Sequence, residues 1–386
     1  LHQVGVNILF MIPYDDVKHI VIYLFLLSIL IFTGCGGTGI ETEHPPGIIG
    51  TKPTPTDQTT LPPSPVPTNT HTLTPQAEIQ TVLNIGIMVH LEGWEDEVNE
   101  DKFRAHAALL RQYADLFEIY GAKLTLESKE MTEGAINWND NVLLEMENRG
   151  HAIGVHADVG GSMRDTFLKI KTQLIEMKSL LESLGVRVRH VSGVNSHCDW
   201  VTAAADAGFE FVTGVVAYAL LSLPPELRPM EILDDARPGE YHESFPFELE
   251  GRLFAWRAES GLNWIYDNPD GRIVIIPSGA GIASFYEASQ GIFELGGDQD
   301  FTIEDIDACQ QVLDDIIAYI TSSQSTQPYT YYVSWSFGKA LDINLLEQWL
   351  QMVDAYVAAG QVRWQTIPDM YGMYIEWEIE SGRRSG

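Results

Sequence analysis

The sequence predicts an α/β fold, a (β/α) barrel of seven or eight mainly parallel strands. Three observations predict it: strand-like apolar runs alternate with amphipathic helices over about 300 residues, the runs are too uniformly apolar for half-exposed strands, and polar residues gather at their carboxyl ends. At 386 residues, 45% hydrophobic, the chain can bury one large core.

The first strand is the stretch Asn84 to Trp94, where Ile85, Ile87, Met88 and Val89 form an apolar run and His90 and Glu92 follow at its carboxyl end. A helix comes next, with Phe103, His106, Leu110, Tyr113, Phe117 and Tyr120 at helical spacing and Gly121 placed to end it. Lys123 to Leu126 reads as strand two, Asn139 to Asn148 as a helix, and Ala152 to His156 as strand three. Phe167, Ile170, Leu174, Met177, Leu181 and Leu184 lie on one helical stripe closed by Gly185. Val186 to Val191 is strand four, Val201 to Ala207 a short helix, and Phe209 to Thr213 strand five. Later strands fall at Arg272 to Ile276, Tyr331 to Ser334 and Val362 to Ile367, between helices at Ile303 to Ile320 and Leu345 to Ala358; Thr302 and Asp305 have capping-box spacing.

One stretch, about 215–271, breaks the alternation. It carries Pro224, Pro225, Pro229, Pro238 and Pro246 and the aromatics Tyr241, Phe245, Phe247, Phe254, Trp256, Trp264 and Tyr266, and reads as a long loop with a small β excursion. Aromatic faces there, Trp256 among them, suit sugar rings, and equally suit packing of the insertion onto the barrel.

Ahead of the barrel the composition changes. Lys18 and His19 precede thirteen apolar or small residues, Ile20 to Phe32, and then Thr33, Gly34 and Cys35. The run is short for a membrane span and right for a signal-peptide core, with a plain membrane anchor as the alternative. Residues 1–34 are therefore expected to be an export signal, with translation from Met11. Residues 35–79, rich in Thr and Pro, offer little apolar surface and are expected to form a disordered tether. At ~3 Å per residue such a tether reaches on the order of 100 Å. Residues 80–386 are then the folded domain.

A formal charge of −31, with 23 Lys and Arg against 54 Asp and Glu, argues against nucleic acid as a partner. Three cysteines build no disulfide framework.

Candidate chemistry gathers at four strand ends: His90 and Glu92, His156 and Asp158, His197 and Asp199, and Ser334 and Ser336. Imidazoles and carboxylates are ordinary ligands of zinc and similar divalent ions. His151 and His190 are expected only to satisfy backbone or solvent.

Several segments resemble known sequences. F-T-G-C, residues 32–35, is similar to the lipobox of bacterial lipoproteins, which implies lipidation at Cys35 and a domain held to the outside of the cell membrane by a lipid anchor alone. E-M-E-N-R-G-H-A-I-G-V-H (145–156), A-A-A-D-A-G-F (203–209) and V-R-W-Q-T-I-P-D-M (362–370) resemble segments of polysaccharide deacetylases, the NodB homology domain. The resemblance covers about Val82 to Ile375. It implies the barrel shared by deacetylases and related glycoside hydrolases, and metal-dependent removal of an N- or O-acetyl group from a glycan.

The family motif T-F-D-D falls on Val89 to Glu92, so its metal-binding acid corresponds to Glu92 and its catalytic base to Leu91. The motif H-S/T-x-x-H falls on His156 to Gly160, keeping the first histidine and replacing the second with glycine, and the family's late histidine has no counterpart in residues 332–337. The expected site is a divalent ion, zinc by ligand type, on Glu92, His156 and His197, with Asp158 then Asp199 as general base and His90 orienting a ligand or stabilising the oxyanion. Trp94, Trp200, Trp256 and Trp335 are candidate stacking walls for a sugar. Two other classes fit: a metal-free glycoside hydrolase using paired carboxylates such as Glu92 and Asp158, and a non-catalytic glycan-binding protein.

Overall fold

The computed structural model describes residues 80–92, 95–162, 164–233, 235–237, 241–277, 279–292 and 300–384. The expected signal, the tether, Cys35 and Trp94 lie outside the described residues.

The core strand is β1 (Leu83–Leu91), in which every residue from Leu83 to Val89 is buried. It is covered on both faces and paired along both edges. β2 (Leu124–Ser128) and β10 (Val362–Trp364) pair with it, β2 from Ile87 to Leu91 and β10 from Leu83 to Ile85, while β9 (Tyr329–Ser336) runs beside it from Leu83 to His90; all three pairings are parallel.

Beyond β2 the sheet continues through β3 (Ala152–His156), β4 (His190–Ser192), β5 (Phe211–Val212), β7 (Ile273–Ile275) and β6 (Trp256–Ala258), and beyond β9 to β8 (Ala280–Gly281). The β6–β7 pairing is antiparallel and every other pairing is parallel, so the α/β class expected from the alternation is the class observed. Among the described residues no ladder joins β6 to β8.

Helices cover the outside. α1 (Glu100–Ile119) starts at Asn99, whose side chain accepts from the Lys102 amide, and buries Phe103, Ala107, Leu110, Tyr113, Ala114 and Phe117. Sealing a side chain such as Phe117 contributes about 1.5–3 kcal/mol by area removed from water. Gly121, at φ +70, turns the chain into β2.

An unexpected helix, α2 (Glu130–Asn137), precedes the expected one, α3 (Val142–Asn148). α2 carries Gly134, where a Cβ would stand 2.6 Å from Phe103 Cδ2. The close approach to α1 requires the glycine, and the glycine hides the helical signal. α4 (Phe167–Glu182), α5 (Trp200–Asp206), α6 (Phe285–Ser289), α7 (Ile303–Ser322, with the Thr302/Asp305 capping box) and α8 (Ile343–Ala358) follow.

The last element corrects the expectation of a strand up to Ile367. β10 stops at Trp364, and Thr366 and Asp369 form a capping box for α9 (Ile367–Glu380), with Pro368 in its first turn. Met370 and Tyr374 of α9 pack with Met88, Phe211, Val274, Ile276 and Tyr332 in a second core. Arg257 Nε donates to Glu378 Oε1 at 2.8 Å, a buried pair tying α9 to β6.

The insertion carries short 3₁₀ turns, two of them opened by prolines, one by Pro224 and Pro225 and one by Pro229. Trp264 packs inward, 5.4 Å from Trp200, 5.0 Å from Phe245 and 6.3 Å from Trp256, ring to ring, while Tyr266 is exposed.

Candidate active site

The carboxyl ends of β1, β2 and β3 and the first residue of β4 carry a cluster of three imidazoles and two carboxylates. On β1 the alternation sends Met88, His90 and Glu92 toward a cavity of about 290 Å³. Leu91 belongs to the main apolar core instead, 1% exposed.

On β2, Thr125 and Glu127 share one face, and Glu127 is fully buried. Its Oε1 accepts from Thr213 Oγ1 at 2.6 Å and stands 3.3 Å from His190 Nε2. Its Oε2 lies 3.7 Å from His90 Nε2, and neither atom has a hydrogen-bond partner among the described residues. Burial pushes the Glu127 carboxyl up, but the His190 and His90 imidazoles and Ser192 outweigh it, so the group sits below its ordinary value.

His156 ends β3. Its Nδ1 is 2.8 Å from Ser192 Oγ, its Nε2 is 2.7 Å from Glu92 Oε2, and its ring centroid is 4.3 Å from that of His90. Burial lowers its pKa, and the Glu92 carboxylate reverses this to a net rise. For Glu92, burial raises the value, while the bond to His156 and the charges of His156, His90 and Lys129 together bring it down to about 2. His90 goes the other way, to about 4, through burial and then the neighbouring His156.

His90, Glu127 and His156 each offer a ligand atom within 4.8 Å of the other two, the one such group of three among the described residues. The sequence reading omitted Glu127. The signal was present, since a carboxylate inside the strand run L-T-L-E-S is costly without partners. His190, expected to satisfy backbone or solvent, instead lies fully buried against Glu127, its ring stacked on Phe211 at 4.9 Å. Gly154 makes the space for it: a Cβ there would stand 2.2 Å from His190 Nε2. His151 does serve the backbone, accepting from the Leu124 amide at 2.9 Å.

The structure brings His90, Glu92, His156 and Asp158 to one cavity. His197 is not among the residues lining it. The β4–α5 loop carries its imidazole to within 3.7 Å of Cys198 Sγ, so the expected trio Glu92, His156 and His197 is replaced by His90, Glu127 and His156. Asp199, second choice for a base, caps α5 instead: its carboxylate accepts from the Thr202 amide and hydroxyl and from the Gly261 amide at 2.6 Å. Asp158 lines the cavity with its carboxylate 2.9 Å from Lys129 Nζ.

Of the candidate sugar platforms, Trp200 is wholly buried with Nε1 on Ser222, and Trp256 is 8% exposed with Nε1 donating to the Trp264 carbonyl. Both rings pack the insertion and cannot offer a face. Trp335 borders the cavity, but its ring stacks on Phe117 at 6.0 Å and meets Tyr113 edge-on at 5.9 Å. Strand alternation explains this, since Ser334 and Ser336 are the β9 residues that share the inward face.

The insertion adds lining residues that the sequence did not suggest. Val216 and Ser244 form a β-bridge, and the Ala217 and Tyr218 amides donate to the Glu243 and Tyr241 carbonyls. This clamp sets the Tyr218 and His242 rings 5.5 Å apart, and both line the cavity with Ser244 and Asn195.

No family model matches the chain, and no curated protein matches it by sequence. Solved structures do share its fold. The PuuE allantoinase structure aligns with a TM-score of 0.50 at 11% identity, covering 78% of this chain and 92% of that one. A structure described as a polysaccharide deacetylase from Pseudomonas aeruginosa PAO1 aligns at 0.50 and 10% identity, covering 76% of this chain and 91% of that one. The chain thus shares its fold with an allantoinase and a polysaccharide deacetylase structure at 10–11% sequence identity.

Proposed function

We propose that this domain is a divalent-metal hydrolase that removes acyl groups, acetyl foremost, from a glycan outside the cell, held to the membrane by a lipid on Cys35. The observation that carries the reading is the group His90, Glu127 and His156 at the carboxyl ends of parallel strands. Glu127 Oε2 and His90 Nε2 are buried polar atoms without partners, and two imidazoles with one carboxylate are a donor set that suits zinc. The fold relatives support a hydrolase, and the acidic chain suits a neutral or cationic substrate.

These three residues would hold the ion. Bound there, it would polarise the acyl oxygen and acidify a water. The chain's own groups account for the rest. Glu92 faces the cavity, its carboxyl held low by the His156 imidazole 2.7 Å away; where that nitrogen would take the ion, the carboxylate would be free to accept the proton of an attacking water. Ser192 sets the other His156 nitrogen, and Thr213 with His190 holds Glu127. The test is acetate release from acetylated glycans with and without a chelator. Release that stops with chelation and returns with zinc supports the reading, and metal-independent release contradicts it.

Leu91 favours a second reading. At the position where the family resemblance expects the catalytic base stands a buried apolar side chain, as a glycan-binding domain without catalysis would have. Glycan binding with no acetate release would select it.

A further inference from the structure

We infer that the Tyr218 side chain, which the insertion brings into the cavity, is the hydrogen-bond donor for the negative charge that develops on the acyl oxygen during hydrolysis; this rests on the hydrolase reading above.

Attack of water on an acyl carbon moves charge onto one oxygen, and a donor already in place there lowers the barrier. His90, the residue expected to do this, belongs instead to the group with Glu127 and His156. Another donor is needed.

Tyr218 lines the same cavity as Glu92, His156 and Asp158. Its position is set from several sides. The Val216–Ser244 bridge, the Ala217 amide on the Glu243 carbonyl at 2.8 Å and the Tyr218 amide on the Tyr241 carbonyl at 2.9 Å fix its backbone. The 3₁₀ turn Ala217–Ser222 buries Ala219, Leu220 and Leu221 behind it, and the His242 ring meets its ring edge-on at 5.5 Å. A group held in this way reorganises little as charge appears.

Asn195 lies beside the phenol. Its Nδ2 donates to the Gly214 carbonyl at 3.1 Å, which identifies that end of the amide as the donor, and an amide nitrogen carries two hydrogens. The Asn195 contact favours the phenolate, as a bond donated to the phenol oxygen does, so it does not take up the phenol's own hydrogen. Burial first, then the Asp158 charge and, after the opposing Asn195 contact, the Glu92 charge push the phenol well above its ordinary value. The group therefore keeps its proton and acts as a donor, not as an acid.

The step balances without a co-reactant. The water oxygen bonds to the acyl carbon, one water proton passes to Glu92, and the carbonyl π pair moves onto the acyl oxygen, to which the phenol donates while retaining its hydrogen. The pair then re-forms the carbonyl as the bond to the leaving atom breaks, and the proton on Glu92 passes to that atom.

The test compares full-length wild type and Tyr218→Phe on whichever of an N-acetylated glucosamine oligomer and an O-acetylated xylose oligomer wild type cleaves faster, with zinc titration of both proteins by calorimetry. The expected result is a kcat about a hundredfold lower, with KM and zinc affinity each within about twofold of wild type. Should the phenylalanine variant fail to fold, Tyr218→Met is read for the same split. A kcat within about threefold of wild type, a loss carried wholly by KM, or a loss matched by weaker zinc binding overturns the inference and leaves the hydrolase reading standing. A wild type that releases acetate from neither oligomer overturns both.

Discussion

Glu127 Oε2 and His90 Nε2 stand 3.7 Å apart, each buried and each without a hydrogen-bond partner among the described residues. Two adjacent strands converge on this gap, and Thr213 and His190 hold the carboxylate from its other oxygen. A carboxylate oxygen and an imidazole nitrogen left open side by side fit a ligand that completes both.

His190 acts on this gap only through Glu127, and its slot depends on Gly154. Gly154→Ala places a methyl 2.2 Å from His190 Nε2 and should destabilise the domain by roughly 1–3 kcal/mol through overpacking, while weakening metal binding. Urea unfolding and zinc titration check it. Unchanged zinc affinity would separate His190 from the site.

Much of the fold was legible in the sequence. The parallel class, the residues of β3 and the burying stripe of α1 follow from periodicity, because buried strands and amphipathic helices have unlike patterns. α2 and α9 were hidden, the first by a glycine needed for close packing, the second by a proline that starts a helix and resembles a strand exit. At the site, His90, Glu92, His156 and Asp158 were legible as polar residues at strand ends. Glu127 sits inside a strand and was passed over. His197 and Asp199 were misplaced because a loop, unlike a strand, does not fix the direction in which its side chains point.

The Arg257–Glu378 pair joins β6 to α9 inside the protein. Glu378→Ala leaves a buried guanidinium uncompensated and should cost about 3–5 kcal/mol. Chemical denaturation of the variant measures it, and a loss under 1 kcal/mol would show that the pair contributes little.

Glu118 is held at about 2, against an ordinary 4.5, by its bonds to Arg149, against the opposing effect of burial, and then by Lys123. A depressed carboxyl stabilises the folded state above the unfolded pKa, and this contribution is lost as pH falls toward the folded value. Because the group is partly exposed, Glu118→Gln should cost only on the order of 0.5–1 kcal/mol at pH 7. The gap between variant and wild type should narrow from about pH 4.5 downward. A gap that widens on acidification would contradict this assignment.

Cys35→Ser should release the domain from the membrane fraction of a bacterial host, since acyl chains contribute roughly 0.8 kcal/mol per buried CH₂. Unchanged fractionation would favour a simple membrane span.

The central claim is that His90, Glu127 and His156 hold one divalent ion. Zinc titration by calorimetry, with metal analysis of the purified protein, tests it most directly in wild type, Glu127→Gln and His197→Ala. The account predicts one ion per chain in wild type and His197→Ala, and loss of binding of tenfold or more in Glu127→Gln. Retained binding in Glu127→Gln together with loss in His197→Ala, or no binding in wild type, would contradict it.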